Sequence, residues 1–223
     1  MPRIRTLALI LITACADSPT ASLKRQCVGG PLLVGDPQIT GHIDHAASCL
    51  RAVPLFGDTV PTLAYAMPVA RGQGYLVTMT GAPMLNPKLV LTTADTLLAI
   101  NRGPTRIANL LFASTSTRID TVQATAWDAS PGDTGSYSIA VRSCAVRAMV
   151  SLGADSVTVT DSVTATDCQV TDSSFGIPDA NMARVQLFAV HWDSVDALRR
   201  IAFRADVPLR LIIGGWHDDT FGG

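Results

Sequence analysis

Five cysteines and four histidines are the side chains with which this chain of 223 residues could do chemistry. The thiols are Cys15, Cys27, Cys49, Cys144 and Cys168; the imidazoles are His42, His45, His191 and His217. Structural zinc takes cysteines spaced about two to four residues apart, and the chain has no Cys-x-x-Cys. The densest group of metal-capable side chains is His42, Asp44 and His45. Alternate residues of a strand share a face, so His42 and Asp44 would lie together with His45 opposite. That suits a solvated strand edge better than a shared ion. Asp218 and Asp219 precede Gly222 and Gly223 in "WHDDTFGG". Carboxylates in a glycine-rich turn could give oxygen ligands to calcium, but an ordinary polar turn is the preferred reading. Trp192 and Trp216 could form a sugar-stacking platform, against the commoner role of tryptophan in a core. There is no Gly-x-Ser-x-Gly, no His-Glu-x-x-His, no phosphate loop and no dinucleotide fingerprint. No catalytic, cofactor or metal residue is therefore assigned, and the chain is expected not to be an enzyme.

Composition narrows the class further. Apolar residues make up 48% of the chain, charged residues 16% and aromatic residues 5%. A net charge of −1 gives no electrostatic footprint for nucleic acid. No apolar run reaches the roughly 18 residues of a membrane span.

The N-terminus carries a different message. Arg3 and Arg5 precede an apolar segment from Leu7 to Ala14 broken only by Thr13. A short positive region followed by a short apolar one is the pattern of a secretory signal. Its last residues, Ile12, Thr13, Ala14 and Cys15, resemble the lipobox of bacterial lipoproteins. The resemblance implies a signal peptide over 1–14, cleaved before Cys15, and a diacylglycerol on the Cys15 thiol. Each buried methylene contributes about 0.8 kcal/mol, and stable anchoring needs more than one chain. Residues 15–26 then form a lipidated polar tether. Ala16 after the cysteine, with Asp17 one place later, resembles the outer-membrane-bound class of Gram-negative lipoproteins. The expected location is the cell envelope, with the membrane as a partner through the lipid.

The other four cysteines fall into two similar segments, "CVGGPLLVGDPQITGHIDHAASC" and "CAVRAMVSLGADSVTVTDSVTATDC". Each has an aliphatic residue and glycine (Val34-Gly35, Leu152-Gly153) well before its second cysteine. The segments that follow are alike too: "TLAYAMPVARGQGYLVTMTG" pairs with "VQLFAVHWDSVDALRRIAFRA", and "NPKLVLTTAD" with "VPLRLIIGGWHDD". A period this long indicates tandem domains, not a solenoid. The first copy, 27–143, continues through "IANLLFAS", "TVQATAW" and "GSYSIAVRS"; the second, 144–223, is read as lacking its last strands.

Almost every run is strand-like. "YLVTMT" puts Tyr75, Val77 and Met79 on one face, and "GSYSIAV" does the same for Tyr137, Ile139 and Val141. Such alternation marks half-buried strands, and "DASPGDTGS" and "GAPMLNP" supply turns. "SVTVT" in the second copy reads as a strand, and so does "SVDALRRIAF" by analogy with "GQGYLVTMT". The expected fold is all-β: tandem antiparallel, jelly-roll-like β-sandwiches, the second incomplete.

The order of Gly35, Cys49, Tyr65, Gly72-Gln73, Leu89, Leu91, Asn101, Gly103 and Gly135-Ser-Tyr137 resembles the bacterial pre-peptidase C-terminal domain. The second copy matches through Gly153, Cys168, Phe188, Leu211, Asp218-Asp219 and Gly222-Gly223. The resemblance implies β-sandwiches without catalytic activity that accompany secreted enzymes and surface proteins. Some bind polymers or calcium.

An exported chain meets an oxidising compartment, and four cysteines allow three connectivities. The repeat favours Cys27–Cys49 and Cys144–Cys168, each within one copy, contributing about 3 kcal/mol per closed loop. The functional expectation is a non-catalytic, envelope-anchored lipoprotein with binding or structural domains, its partner an extracellular polymer or protein. The alternatives are an accessory region or remnant of a secreted hydrolase, or a calcium- or carbohydrate-binding module. Either the chain is a truncated product, or the second copy is expected to be completed by a partner strand, by a second subunit or by packing on the first copy.

Overall fold

The structure is a computed structural model that describes residues 27–46, 48–52, 59–93, 96–100, 106–127, 130, 132–152, 158–165, 167–170 and 183–192. Every regular element among them is a strand. Two sheets face each other. One contains β1 (Val28–Pro31), β3 (Cys49–Ala52), β4 (Thr59–Val69), β6 (Pro87–Thr93), β7 (Thr96–Ile100) and β9 (Arg118–Ala126), in the order β1-β4-β9-β6-β7 with β3 also on β4. The other is β2 (Ile39–Ile43), β10 (Gly135–Cys144), β5 (Gly74–Gly81) and β8 (Ile107–Ala113), in that order.

Period-2 patterning builds the core. Tyr75, Val77 and Met79 of β5 and Tyr137, Ile139 and Val141 of β10 point inward, as their alternation requires. They meet Leu63, Tyr65 and Met67 of β4, Leu89 and Leu91 of β6 and Val122 and Ala124 of β9. Full burial of one such side chain contributes roughly 1.5–3 kcal/mol. The turn from β4 to β5 uses Gly72 at φ +77°, a left-handed conformation open to glycine at little cost. Gln73 N–H closes it by donating to Ala70 C=O at 3.1 Å.

The sandwich departs from the expected pattern in two respects. First, the inner strands are not half-buried. The outward residues Lys88, Val90, Thr92, Gln123 and Thr125 are buried as well as their inward neighbours, so burial does not alternate along β6 or along the second half of β9. Polar members of this set find partners, as buried polar groups must. Thr125 Oγ1 donates to Pro61 C=O at 2.8 Å, and Lys88 Nζ donates to Trp127 C=O at 2.8 Å beside the indole ring. Second, β1 runs parallel to β4, while the other pairs of the sandwich are antiparallel. A parallel pair needs a crossover, and here the chain supplies it by visiting the opposite sheet as β2 before returning as β3.

Beyond Cys144, a single residue, Ala145, separates β10 from β11 (Val146–Leu152). β11 pairs in parallel with β14 (Leu187–Trp192), and β12 (Cys168–Val170) pairs antiparallel with β13 (Ala183–Val185). Val170, Val185 and Leu187 pack with Cys144 against Leu76 and Leu111 on the outer face of β5 and β8. The "SVTVT" expectation fails over its described part: residues 158–160 form no strand and are exposed, and residues 161–164 form none either. Strand propensity expresses packing and pairing with neighbours, and among the described residues no ladder partner is present. "SVDALRRIAF" lies outside the described residues.

Candidate functional site

The four described cysteines sit at one repeated structural device. β3 covers the first half of one edge of β4, antiparallel, with Cys49 opposite Thr62. β1 covers the second half, parallel, from Val28 opposite Ala64. The two short strands thus meet end to end beside Thr62–Ala64, where Ala64 N–H also donates to Cys27 C=O at 3.0 Å. The disulfide Cys27–Cys49 spans this junction, with Cα atoms 5.0 Å apart.

The second device repeats the first. Cys168 lies opposite Val185 and Val146 opposite Leu187, and Cys144–Cys168 spans the junction with Cα atoms 5.4 Å apart. Even the irregularity recurs: the ladder slips by one residue at Gly29 in the first and at Arg147 in the second. Thr62, Ala64 and Tyr65 therefore correspond to Val185, Leu187 and Phe188 at a constant offset.

Around the first clasp two tyrosines bridge the sheets. Tyr65 of β4 and Tyr137 of β10 share a buried hydroxyl–hydroxyl hydrogen bond of 2.5 Å. Each ring lies over a glycine of the adjacent strand: a Cβ on Gly29 would stand 2.2 Å from the Tyr65 ring, and one on Gly41 would stand 2.4 Å from the Tyr137 ring. Burial pushes the Tyr65 hydroxyl above its ordinary pKa despite the bond from Tyr137, and burial and Tyr65 together raise Tyr137. Both stay protonated near neutrality, so the pair holds the sheets together and offers no base or nucleophile.

Around the second clasp the polar chemistry is ionic. Arg147 donates to Asp167 Oδ1 and to Thr164 Oγ1 at 2.8 Å, and its Nε lies 3.7 Å from Asp161. Thr164 N–H donates to Asp167 Oδ2 at 2.6 Å. Burial alone would push the Asp167 carboxyl up; the Thr164 N–H and the Arg147 guanidinium outweigh it and hold it below the ordinary carboxylate value.

The histidine group does not converge. His42 Nδ1 pairs with Ser136 Oγ at 3.2 Å, His45 Nε2 with Ser130 C=O at 2.9 Å, and Asp44 Oδ1 accepts from Ala46 N–H at 2.7 Å within its own turn. Asp133, buried, accepts from Asn86 N–H at 2.6 Å and Trp127 N–H at 3.0 Å, tying two turns together. Asp120, also buried, holds Arg118 Nε at 2.6 Å on Oδ1, while its Oδ2 has no partner. Among the described residues no three His, Cys, Asp or Glu side chains gather as a metal would need. Cys15, Asp218, Asp219, Gly222, Gly223 and Trp216 lie outside the described residues, as does the Trp192 side chain. Sequence reasoning singled out Tyr65 and Tyr137 but not their contact. It missed Gly29, Gly41 and the Arg147–Asp167 pair. The available signal was the joint change between copies of Gly29 to Arg147 and Tyr65 to Phe188.

No protein-family model and no curated protein matches the chain. Solved structures similar to the chain include two that cover 53% of it. One is the pre-peptidase C-terminal domain of a collagenase from Bacillus anthracis, with 12% identity, 96% of that chain covered and a TM-score of 0.38. The other is PliG, a periplasmic inhibitor of g-type lysozyme from Aeromonas hydrophila, with 14% identity, 98% of that chain covered and a TM-score of 0.36.

Proposed function

We propose that the chain is a non-catalytic protein exported to a bacterial envelope and anchored there by lipid on Cys15, at the outer membrane if the cell is Gram-negative, with β-sandwich domains that bind or brace a partner. The observation that carries this reading is the pair of disulfides, each built into the edge of a sheet. Disulfides form and persist in oxidising compartments, which agrees with a basic, apolar leader ending in Ile12-Thr13-Ala14-Cys15. The non-catalytic part is supported by where the polar side chains go: Tyr65, Tyr137, Asp133, Asp167, His42 and His45 are each occupied by structural bonds. The second reading, an accessory region of a secreted hydrolase, is favoured by the pre-peptidase-like motifs and shares the absence of catalysis in this segment.

The anchor is tested by labelling. In a lipoprotein-processing host the full chain should take up labelled fatty acid and fractionate with membranes. Cys15→Ser should lose the label and accumulate as precursor. Label retained by the variant, or absent from the wild type, removes the anchor from this proposal.

A further inference from the structure

The outer face of the six-stranded sheet is covered at one end and bare at the other. Leu63, Tyr65, Met67 and Val69 take the core side of β4, so the residues between them point outward. Toward the start of β4 the outward Val60, Thr62 and Ala64 are buried, as is Thr125 opposite Thr62 on β9. Toward its end the outward Ala66 and Pro68 are exposed. Pro31 of β1 stands opposite Ala66, and Ile119 of β9 stands opposite Pro68; both are exposed. Val28, directly after Cys27, completes the patch at 65% exposed, and Ile119 is 68% exposed.

Shape and charge limit what this patch can meet. Its edge is poor for strand addition: the ladder slips at Gly29, Gly30 sits at φ +95°, and Pro31 has no N–H to offer. Contact must therefore be made face on. Val28, Pro31, Ala66, Pro68 and Ile119 are far fewer than the roughly 20–30 residues a side that hold a stable protein interface. The acid of β1, β3, β4 and β9 is Asp120, which faces the core and is fully buried. Arg51 of β3 and Arg71 after β4 are exposed cations, against the exposed acid Asp36 after β1. Lys24 and Arg25 precede Cys27 in the sequence. An apolar face with a basic surround suits a lipid surface.

Chain length brings that surface within reach. Residues 15–26 span at most about 40 Å when fully extended, so lipid on Cys15 keeps the patch close to the bilayer. Confinement of this kind gives a weak contact an effective concentration in the mM range. We propose that Val28, Pro31, Ala66, Pro68 and Ile119 rest on the membrane that holds Cys15, with Ile119 entering the headgroup layer. The first sandwich then lies with β1, β4 and β9 toward the lipid. The outer face of β2, β10, β5 and β8 is turned away from it. This deepens the anchored reading and rests on it, since so small a patch needs the tether to stay on a bilayer.

The test places the full lipidated chain in vesicles of phosphatidylethanolamine and phosphatidylglycerol with brominated acyl chains, which quench tryptophan at short range. Ile119→Trp adds a reporter on the patch. Met84→Trp adds one in the turn from β5 to β6, where Met84 is also 68% exposed. At the depth of roughly 5–10 Å typical of an interfacial apolar face, the emission added by Ile119→Trp should fall to about half. The emission added by Met84→Trp should be unchanged. Equal quenching of the two overturns the proposal, because no face is then preferred. Quenching of neither, in protein that takes up fatty acid and floats with the vesicles, overturns the docking and leaves the anchor standing. Blue-shifted, unquenched emission from Ile119→Trp also overturns it, because protein then covers the face, whether this chain's own residues or a second copy. A chain that carries no lipid overturns the anchor and this proposal together.

Discussion

Tyr65 and Phe188 occupy the same position beside two copies of one disulfide clasp, but their surroundings differ. Around Tyr65 a second sheet has closed. Its ring is buried over Gly29, and its hydroxyl reaches Tyr137 across the sandwich. Around Phe188 the clasp is intact, yet the ring is exposed, and Arg147 replaces the glycine and reaches for Asp167. Covalent splicing of strand ends is thus separable from completing a core. The disulfide sets which strands adjoin, and burial of an opposing sheet supplies most of the stabilisation.

The comparison is broken most directly by cutting the chain. Residues 27–143 should unfold in one cooperative thermal transition. Residues 144–223 should show none, since Leu76 and Leu111, which their small cluster packs on, are removed. A cooperative, monomeric transition from 144–223 would mean that the second copy is complete.

A smaller effect sharpens the contrast at the glycines. Gly41→Ala drives a Cβ into the Tyr137 ring and should cost about 1–3 kcal/mol by overpacking. Val159→Ala, at an exposed position of the second copy, should stay within about 0.5 kcal/mol. Denaturant titration of both variants measures the difference.

Of similar size is the hydroxyl exchange. Tyr65→Phe leaves the Tyr137 hydroxyl buried without its partner, at a cost of about 1–3 kcal/mol. The double variant with Tyr137→Phe should recover much of it. Phe188→Tyr should be nearly neutral in the same chemical-denaturation assay.

The least effect is expected from acid. The folded pKa of Asp167 is depressed, so its contribution is fully present above the ordinary carboxylate value of about 3.9 and is lost as pH falls through the folded value. Exchange at 161–168 should accelerate below about pH 4, and Asp167→Asn should flatten that dependence. A wild-type profile identical to the variant's would remove the Arg147–Asp167 pair as its cause.

Much of the first sandwich was legible because alternation records burial directly. Tyr75, Val77 and Met79, and then Tyr137, Ile139 and Val141, all face the core that their spacing implied. The sheet edges were less legible. Nothing in "CVGGP" announces a parallel partner, because direction is set by the crossover through β2 and not by residue type. "SVTVT" misled for the opposite reason: local preference was clear, but among the described residues nothing pairs with it to realise that preference. Gly29 and Gly41 carried a signal visible only once the tyrosine rings were known to lie over them. The Arg147–Asp167 pair joins residues 20 apart in sequence, a distance at which neither helical nor strand periodicity gives warning.

The Cys27–Cys49 bridge also fixes how the molecule bears load. A pull on the chain before Cys27 is not passed first along β1. It divides at the sulfur and enters β3 as well, so it reaches β4 as shear along two ladders. The intervening loop, closed at a sequence separation of 22 residues, is locked out of extension; unfolded and unbridged it would pay out roughly 75 Å of chain. Reduction would therefore turn a short, stiff attachment into a long, compliant one once β1 and β2, which lie within that loop, are pulled from their ladders.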